Sequence, residues 1–419
     1  MSRRFPLSLL SVLLGSASVL PGVAHATNGY FAHGYGVKSE GMAGTGIALP
    51  QDALTGATNP AGTAWVGDRL DAGLNVFLPS RGASIEGNGA GLDGDYSGNG
   101  RKTFFIPEFG LTRQLDERLS LGLAVYGNGG MNTQYDRSPF AAFGETGHTG
   151  VNLEQLFISP SVAYRLTEDH AVSVALNLAW QRFSAEGLSP FTTASSAPTQ
   201  VSGLGNDSSV GAGVRLGWIG QLSPAWRLGA TWSSKIHGRF DKYRGLFADQ
   251  GSFDIPANYG VGLAYQPSQD WTLALDYQVI QYSGVKSVGT PLAPLLAGQP
   301  LGADGGAGFG WKDVQVVKLG AAYQWSPALT LRAGYSHATQ PVPQSQTFFN
   351  ILAPGVVQDH ATLGLSWKAG ARSEWSAFYG RALKKTVHGQ GSIPANFGGG
   401  EANIHLSEDV VGLSWGWLY

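Results

Sequence analysis

From about residue 69 to its end, the chain alternates apolar and polar side chains with a period of two. That is the pattern of strands presenting one apolar and one polar face. In 170–183, Val172, Val174, Leu176, Leu178 and Trp180 share one face, and Ser173, Ala175, Asn177, Ala179 and Gln181 the other. In 271–281, Trp271, Leu273, Leu275, Tyr277 and Val279 alternate with Thr272, Ala274, Asp276 and Gln278. Several segments end in Trp or Tyr on the apolar face, as an aromatic girdle at a membrane interface requires. Short polar or Pro/Gly connections fall at 114–118, 167–169, 223–225, 267–269, 326–328 and 368–372. Long ones, rich in Gly, Ser, Pro and Asn, fall near 81–102, 131–150, 187–207, 242–252, 284–311, 340–358 and 387–404. Six short turns and seven long loops make thirteen connections and so fourteen strands, with twelve or sixteen the alternative counts. Short turns alternating with long loops are the outer-membrane pattern. The predicted fold is all-β, a 14-stranded antiparallel transmembrane β-barrel over 69–419.

Composition agrees with that pattern. Charged residues make up 13% of the 419, about half the ~25% of soluble domains. Glycine, at 61 residues, is about twice its usual ~7% share. A net charge of −2 gives no basic footprint for nucleic acid. The absence of Cys excludes a disulfide scaffold, a thiolate metal site and a Cys nucleophile. A mean hydropathy of −0.05 excludes a helical membrane protein. At the N-terminus, Arg3 and Arg4 precede an apolar stretch over 7–20, too short to span a bilayer as helix. Ala24-His25-Ala26 follows as a cleavage site, so 1–26 reads as a signal peptide for a Gram-negative envelope protein. At the other end, Val411, Leu413, Trp415, Trp417 and Tyr419 alternate onto an aromatic last residue. This looks like the terminal-strand signal read by the outer-membrane assembly machinery. A monomer in contact with outer-membrane lipid and lipopolysaccharide is expected.

Residues 27–68 do not alternate. They hold a Gly/Ala-rich run from Gly34 to Ala48, then Asp52-Ala53, then Asn59-Pro60-Ala61-Gly62. So many small residues let backbone approach backbone closely, which suits a compact plug inside a barrel. The run, the Asp-Ala pair and the Asn-Pro-Ala motif, in this order and spacing, resemble the N-terminal hatch of the FadL family of outer-membrane transporters. That family takes up long-chain fatty acids and other hydrophobic compounds, including, in some branches, aromatic hydrocarbons.

The resemblance implies a mechanism. A hatch over 27–68 closes the lumen on the periplasmic side. An apolar ligand is caught between outer loops, enters an apolar pocket, and is released by movement of the hatch N-terminus. It leaves sideways through a kink in the third strand, staying in apolar surroundings worth ~0.8 kcal/mol per CH₂. Asn59, Pro60 and Ala61 take the hatch-motif positions, and Tyr30 and Phe31 the aromatic positions lining the ligand pocket. The third strand, 119–131, carries Gly127, Gly129 and Gly130 at its outer end; three Gly in four positions weaken pairing and invite a bulge. The third outer loop, 187–207, departs from the family pattern in being rich in Ser, Thr and Pro. The fourth, 241–252, is expected to be short, with Leu246, Phe247 and the nearby Phe253 as its apolar, ligand-contacting content.

Catalytic and cofactor motifs fail. Gly412-Leu413-Ser414-Trp415-Gly416 fits a nucleophile elbow but lies too near the chain end for Asp and His to follow, and it alternates as a strand. Asp93-Gly94-Asp95-Tyr96-Ser97-Gly98 starts like a calcium loop, yet its twelfth place is Phe104, so a flexible loop is preferred. Gly211-Ala212-Gly213 lacks the third dinucleotide Gly, and the nine His have no ligand spacing. No enzyme activity, metal or cofactor is expected. Arg215, Asp276, Lys318 and Arg332 fall near mid-strand, where facing lipid would cost ~2–4 kcal/mol, so they should point inward. They form either a lumen ion-pair network or a contact for a ligand carboxylate. Two functions remain: a channel for hydrophobic compounds, and a diffusion porin for small polar solutes. The 42-residue glycine-rich segment ahead of the first strand favours the former.

Overall fold

In the computed structural model, which describes residues 28–145 and 147–419, the alternating segments form fourteen barrel strands; the signal peptide read over 1–26 lies outside these residues. They are β1 (Arg69–Glu86), β2 (Phe104–Gln114), β3 (Leu119–Tyr135), β4 (Thr149–Arg165), β5 (His170–Glu186), β6 (Asp207–Ser223), β7 (Trp226–Ser233), β8 (Asn258–Tyr265), β9 (Trp271–Ile280), β10 (Val314–Ser326), β11 (Leu329–Ala338), β12 (Asp359–Lys368), β13 (Ser373–Val387) and β14 (Glu401–Leu418). Each pairs antiparallel with its sequence neighbours, and β14 pairs back with β1 from Arg69↔Leu418 to Glu86↔Glu401. Closure pairs the last strand with the first, as a strand structure in lipid requires. All six short turns and seven long loops fall between the expected strands.

The period of two places the side chains as read. Val174, Leu176 and Leu178 are exposed on the outer face of β5, while Ala175, Asn177 and Ala179 are buried inside. Aromatic pairs mark the rim at the short turns: Trp226 stacks on Tyr265 at 4.1 Å and Trp271 lies 4.7 Å from Tyr323. A second belt, with Trp232, Tyr259, Tyr277, Tyr335 and Tyr379 all exposed, lies nearer the long loops.

Two loops differ from expectation. Asp93–Gly98 is not a flexible loop: Gly94–Ser97 is a short strand folded back on Gly82–Ile85. The fourth outer loop is longer than 241–252 and occupies 234–257. After Ser233 the chain leaves the wall because Gly211 and Gly213 of β6 offer no side chain there. A Cβ at either glycine would lie 2.6 Å from Ile236, which turns inward over them. Bridges Ile236↔Ile255 and Arg239↔Ser252 then continue the loop as an irregular hairpin.

Residues 28–68 lie within the ring of strands, in contact with most of its circumference. They form short helical turns at Val37–Glu40, Thr55–Thr58 and Pro60–Ala64 and are almost entirely buried. The wall meets them with inward-facing glycines. Gly229 faces the Ile47 carbonyl, Gly217 faces Asn59, and the cross-strand pair Gly320 and Gly334 faces Met42. A Cβ at Gly334 would lie 2.3 Å from the Met42 carbonyl carbon. Gly334→Val should therefore leave a heat-modifiable, assembled barrel but displace the interior segment. Overpacking of ~1–3 kcal/mol predicts roughly a tenfold rise in the displaced population, read as more frequent high-conductance openings in planar bilayers.

Candidate ligand path and barrel-wall opening

The interior segment has no ladder of its own, so its backbone polar groups need partners from the wall. Carboxylates supply acceptors in pairs. Glu108 of β2 accepts from the Gly36 and Val37 N–H groups at 3.0 and 3.1 Å. Asp276 of β9 accepts from Gly46 and Ile47 at 2.8 and 3.0 Å. Cations supply donors: Lys318 of β10 to the His33 carbonyl at 2.8 Å, and Arg215 of β6 to the Thr58 carbonyl at 3.0 Å. Arg332 of β11 donates to the Gln51 side chain at 3.0 Å and to Ser366 at 2.7 Å. Asp276 and Lys318 are register partners on adjacent strands and both are buried inside. Yet among the described residues no salt bridge joins any two of Arg215, Asp276, Lys318 and Arg332. The expected ion-pair network is replaced by bonds from each charge to the interior segment, whose unpaired backbone groups compete successfully for them.

Asn59 has the same role from the other side. Extended at φ −142°, it caps Pro60–Ala64 by accepting from the Ala61 N–H at 3.2 Å. Its amide donates to the carbonyls of Ile47, at 2.8 Å, and Trp218 of β6, at 3.0 Å. Pro60, with its fixed φ and missing N–H, suits the first helical position. Ala61, fully buried, packs with Ala163, Ala171 and Ile219.

The third strand breaks at its glycines. The β3–β4 register shifts between Gly127 and Gly129, leaving Asn128 bulged. The β2–β3 ladder runs only from Gln114↔Ser120 to Phe109↔Val125. Above it, Phe104–Glu108 and 126–130 face each other without ladder pairing, so the wall opens there. Arg81, donating to the Asn132 carbonyl at 2.6 Å, spans the far end of the opening. The interior segment is stitched across it. Ala32 donates to the Asn128 carbonyl at 3.0 Å, Gly130 donates to the Tyr30 carbonyl at 2.9 Å, and the half-buried Tyr35 donates to the Asn128 side chain at 2.8 Å. Gly129 is required by contact, since a Cβ there would lie 1.8 Å from the Tyr30 oxygen. Asn59-Pro60-Ala61 does not lie beside this opening: Asn59 sits against β6 and β7, where Gly217 makes room for it. Residues 30–37 occupy that place instead.

Aromatic rings lead to the opening. Leu246 and Phe247 line a small apolar pocket among the outer loops, together with Phe183, Phe191, Leu301 and Phe349. Phe247 lies 4.8 Å from Phe253, Phe253 lies 6.1 Å from Tyr30, and Tyr30 lies 5.6 Å from Phe31. Phe31 in turn forms an isolated bridge with Gly129. Tyr282 and Trp311 complete the cage around Tyr30 at 5.0 and 5.9 Å, and the Tyr282 hydroxyl accepts from the Tyr30 N–H at 3.1 Å. Sequence reading missed Tyr282 and Trp311, which lie in a loop without periodicity. It also missed Glu108, although the inward-charge rule applied to Asp276 would have found it.

Two outcomes are expected from these contacts. Asp276→Ala strips the acceptor from two buried N–H groups, each costing ~1–3 kcal/mol when unmet. Amide exchange over 44–48 should quicken by at least tenfold, and less in Asp276→Asn, which keeps one acceptor oxygen. Asp52, inside the interior segment, is pushed up to about 6, first by burial and then by the Asp71 carboxylate. Between its ordinary ~3.9 and about 6, the docked segment holds a proton that a released one gives up. Docking therefore weakens as pH rises through that window and stays level above it. A spin label at Val66 in this cysteine-free chain should report a mobile fraction that grows from pH 4 to 6, and Asp52→Asn should flatten the dependence.

Comparison with known proteins places this architecture. The family model for outer membrane protein transport proteins (OMPP1/FadL/TodX) matches residues 19–391. Among solved structures, the Pseudomonas putida toluene transporter TodX is 18% identical with a TM-score of 0.68, covering 92% of this chain and 99% of its own. A Pseudomonas aeruginosa FadL homologue is 16% identical with a TM-score of 0.71, covering 93% and 99%. The Ralstonia pickettii toluene transporter TbuX is 19% identical with a TM-score of 0.64, covering 92% and 99%. Among curated proteins, none matches the chain. The family match sets aside the diffusion-porin alternative. A closed 14-stranded barrel with a match over most of its length, the chain belongs to the OMPP1/FadL/TodX family of outer-membrane transporters of hydrophobic compounds.

Proposed function

We propose that this protein passes aromatic hydrocarbons or fatty acids from the cell exterior into the outer membrane by a lateral route. The observation that carries the reading is the unbroken file of rings from the loop pocket through Phe247, Phe253, Tyr30 and Phe31 to the β3 break. A ligand on that file exchanges one apolar surface for another and avoids the cost of returning to water. Residues 27–68 serve as the hatch. Their stretch 30–37 holds the wall opening shut, and its withdrawal exposes the gap between β2 and β3. Two of the structural relatives are described as toluene transporters, which supports aromatic hydrocarbons as cargo. The ligand meets lipid at the exit, the assembly machinery reads the β14 end, and the barrel works as a monomer beneath lipopolysaccharide. Catalysis has no part in this reading: Ser414 is an inward strand residue of β14 between Gly73 and Ser376.

Gly129→Val tests the route. The added β-branched side chain favours regular strand and with it ladder pairing across the gap between β2 and β3, which closes the exit. Uptake of radiolabelled toluene and oleate by cells should fall about tenfold, an effect of ~1.4 kcal/mol, while the amount of heat-modifiable protein in the outer membrane stays constant. Unchanged uptake of both at equal protein level would remove the lateral route.

A further inference from the structure

The apolar pocket among the outer loops is closed to cargo as it stands. Its free space is about 40 Å³, whereas a cavity of ~150 Å³ admits benzene. A ring or an alkyl chain can occupy it only if its linings part. Leu246 and Phe247 line it from the loop over 234–257, and Leu301, Ala307 and Phe309 from the loop over 281–313. Beside these positions the two loops are fastened together. Asp249 and Gln250 donate their N–H groups to the Ala303 and Gly302 carbonyls at 3.0 and 2.9 Å. The Asp249 carboxylate accepts from the Gly305 N–H at 2.6 Å, and the Gln250 amide donates to the Asp304 carboxylate at 3.2 Å. In making these bonds both residues take up the left-handed conformation, at φ 52° and 58°, which is costly for any residue with a Cβ.

The segment they hold, 302–307, is half glycine: Gly302, Gly305 and Gly306. One end is tied where Leu301 exchanges backbone bonds with Ala194 and Ser196, and the other where Gly308 donates to the Thr290 carbonyl. Gln250 and Asp304 face water, so water takes over the fastening bonds as they break, and the two left-handed residues relax. We propose that Asp249 and Gln250 form a strained latch, that 302–307 is the lid it holds over the loop pocket, and that release of the latch admits cargo. The inference rests on the transport reading above and supplies its entrance. Strain keeps the latch near balance: the closed lid excludes water from the rings beneath it, and the cost of opening is lowered by what the two backbones regain.

The chain has no cysteine, so a single introduced thiol can follow the lid. Ala307 is 2% exposed, and in Ala307→Cys a methanethiosulfonate reagent reaches the thiol when the lid lifts. On that background Gln250→Val, whose branched Cβ resists positive φ, should speed labelling about fivefold. Gln250→Gly, which relieves the strain, should slow it about threefold. Both variants lose the same side-chain bond to Asp304, so the difference between them reads the backbone alone. With Ala307 intact, initial uptake of radiolabelled toluene by cells should follow the same order at equal amounts of heat-modifiable protein. In Gln250→Cys/Asp304→Cys, a short reducible bifunctional thiol reagent should block uptake and reductant restore it. Equal labelling in the three chains would overturn the latch, and ordered labelling with unchanged uptake would overturn its role as the entrance. Should either Gln250 variant not assemble, the cross-linked pair decides, and undiminished uptake after cross-linking overturns the proposal. Absence of toluene uptake by the wild type would overturn the transport reading and the entrance with it. Uptake lowered by Gly129→Val but indifferent to Gln250 and to the cross-link would overturn the latch alone.

Discussion

An irregular backbone enclosed by strands must find a partner for every N–H and C=O it cannot offer to water. The rest of this molecule is arranged around that requirement. A barrel satisfies its own backbone through the ladder, but a segment coiled inside it has no ladder to join. Wall side chains therefore act as surrogates: Glu108 and Asp276 each take two neighbouring N–H groups, and Lys318 and Arg215 each cap a carbonyl. Such bonds reach only if the two backbones come close, and inward glycines on most of the strands permit this. Charge and smallness on the inner face are thus one device. The acidic and basic residues find the segment's dipoles, and the glycines remove whatever would hold it away.

The same requirement explains the break in β3. Where Asn128 is pushed out of register, its carbonyl and side chain become free to bond residues 32 and 35, which a regular ladder would forbid. The opening and the segment that covers it are complementary halves of one interrupted pairing. A wall that closed its ladder there would have nothing to offer the interior segment, and a segment absent from it would leave the gap polar and unmet. Each bond across the closed site is a single side-chain or backbone contact rather than part of a cooperative ladder.

Much of this was legible in the sequence. The outer face of every strand repeats at two, so Val174 or Leu273 cannot be placed inward without placing Asn177 or Asp276 in lipid, and turn residues punctuate the strands at regular intervals. The inner face follows a different logic. It alternates in polarity but gives no sign of which partner it meets, so Asp276 and Lys318 read as a pair when each in fact holds a different stretch of the enclosed segment. Loops obey neither rule. The inward turn at Ile236 depends on glycines some two dozen residues upstream in β6, and the Tyr282–Trp311 cage joins two ends of one aperiodic loop to Tyr30, far off in sequence. Position on a strand can be read from neighbours in the chain, whereas contact across the lumen cannot.

The register between β1 and β14 has a consequence for biogenesis. Those two strands join the start of the barrel to its end along their whole length, so the ring is complete only when the last strand arrives. The enclosed segment leads directly into β1 and emerges from the secretion channel before any wall exists to exclude it. It can condense against a growing, still-open sheet, collecting its contacts strand by strand, and be sealed in by the final pairing. An equivalent segment placed after β14 would face a finished cylinder and would have to thread it. Chain order here works as a schedule: guest first, enclosure last.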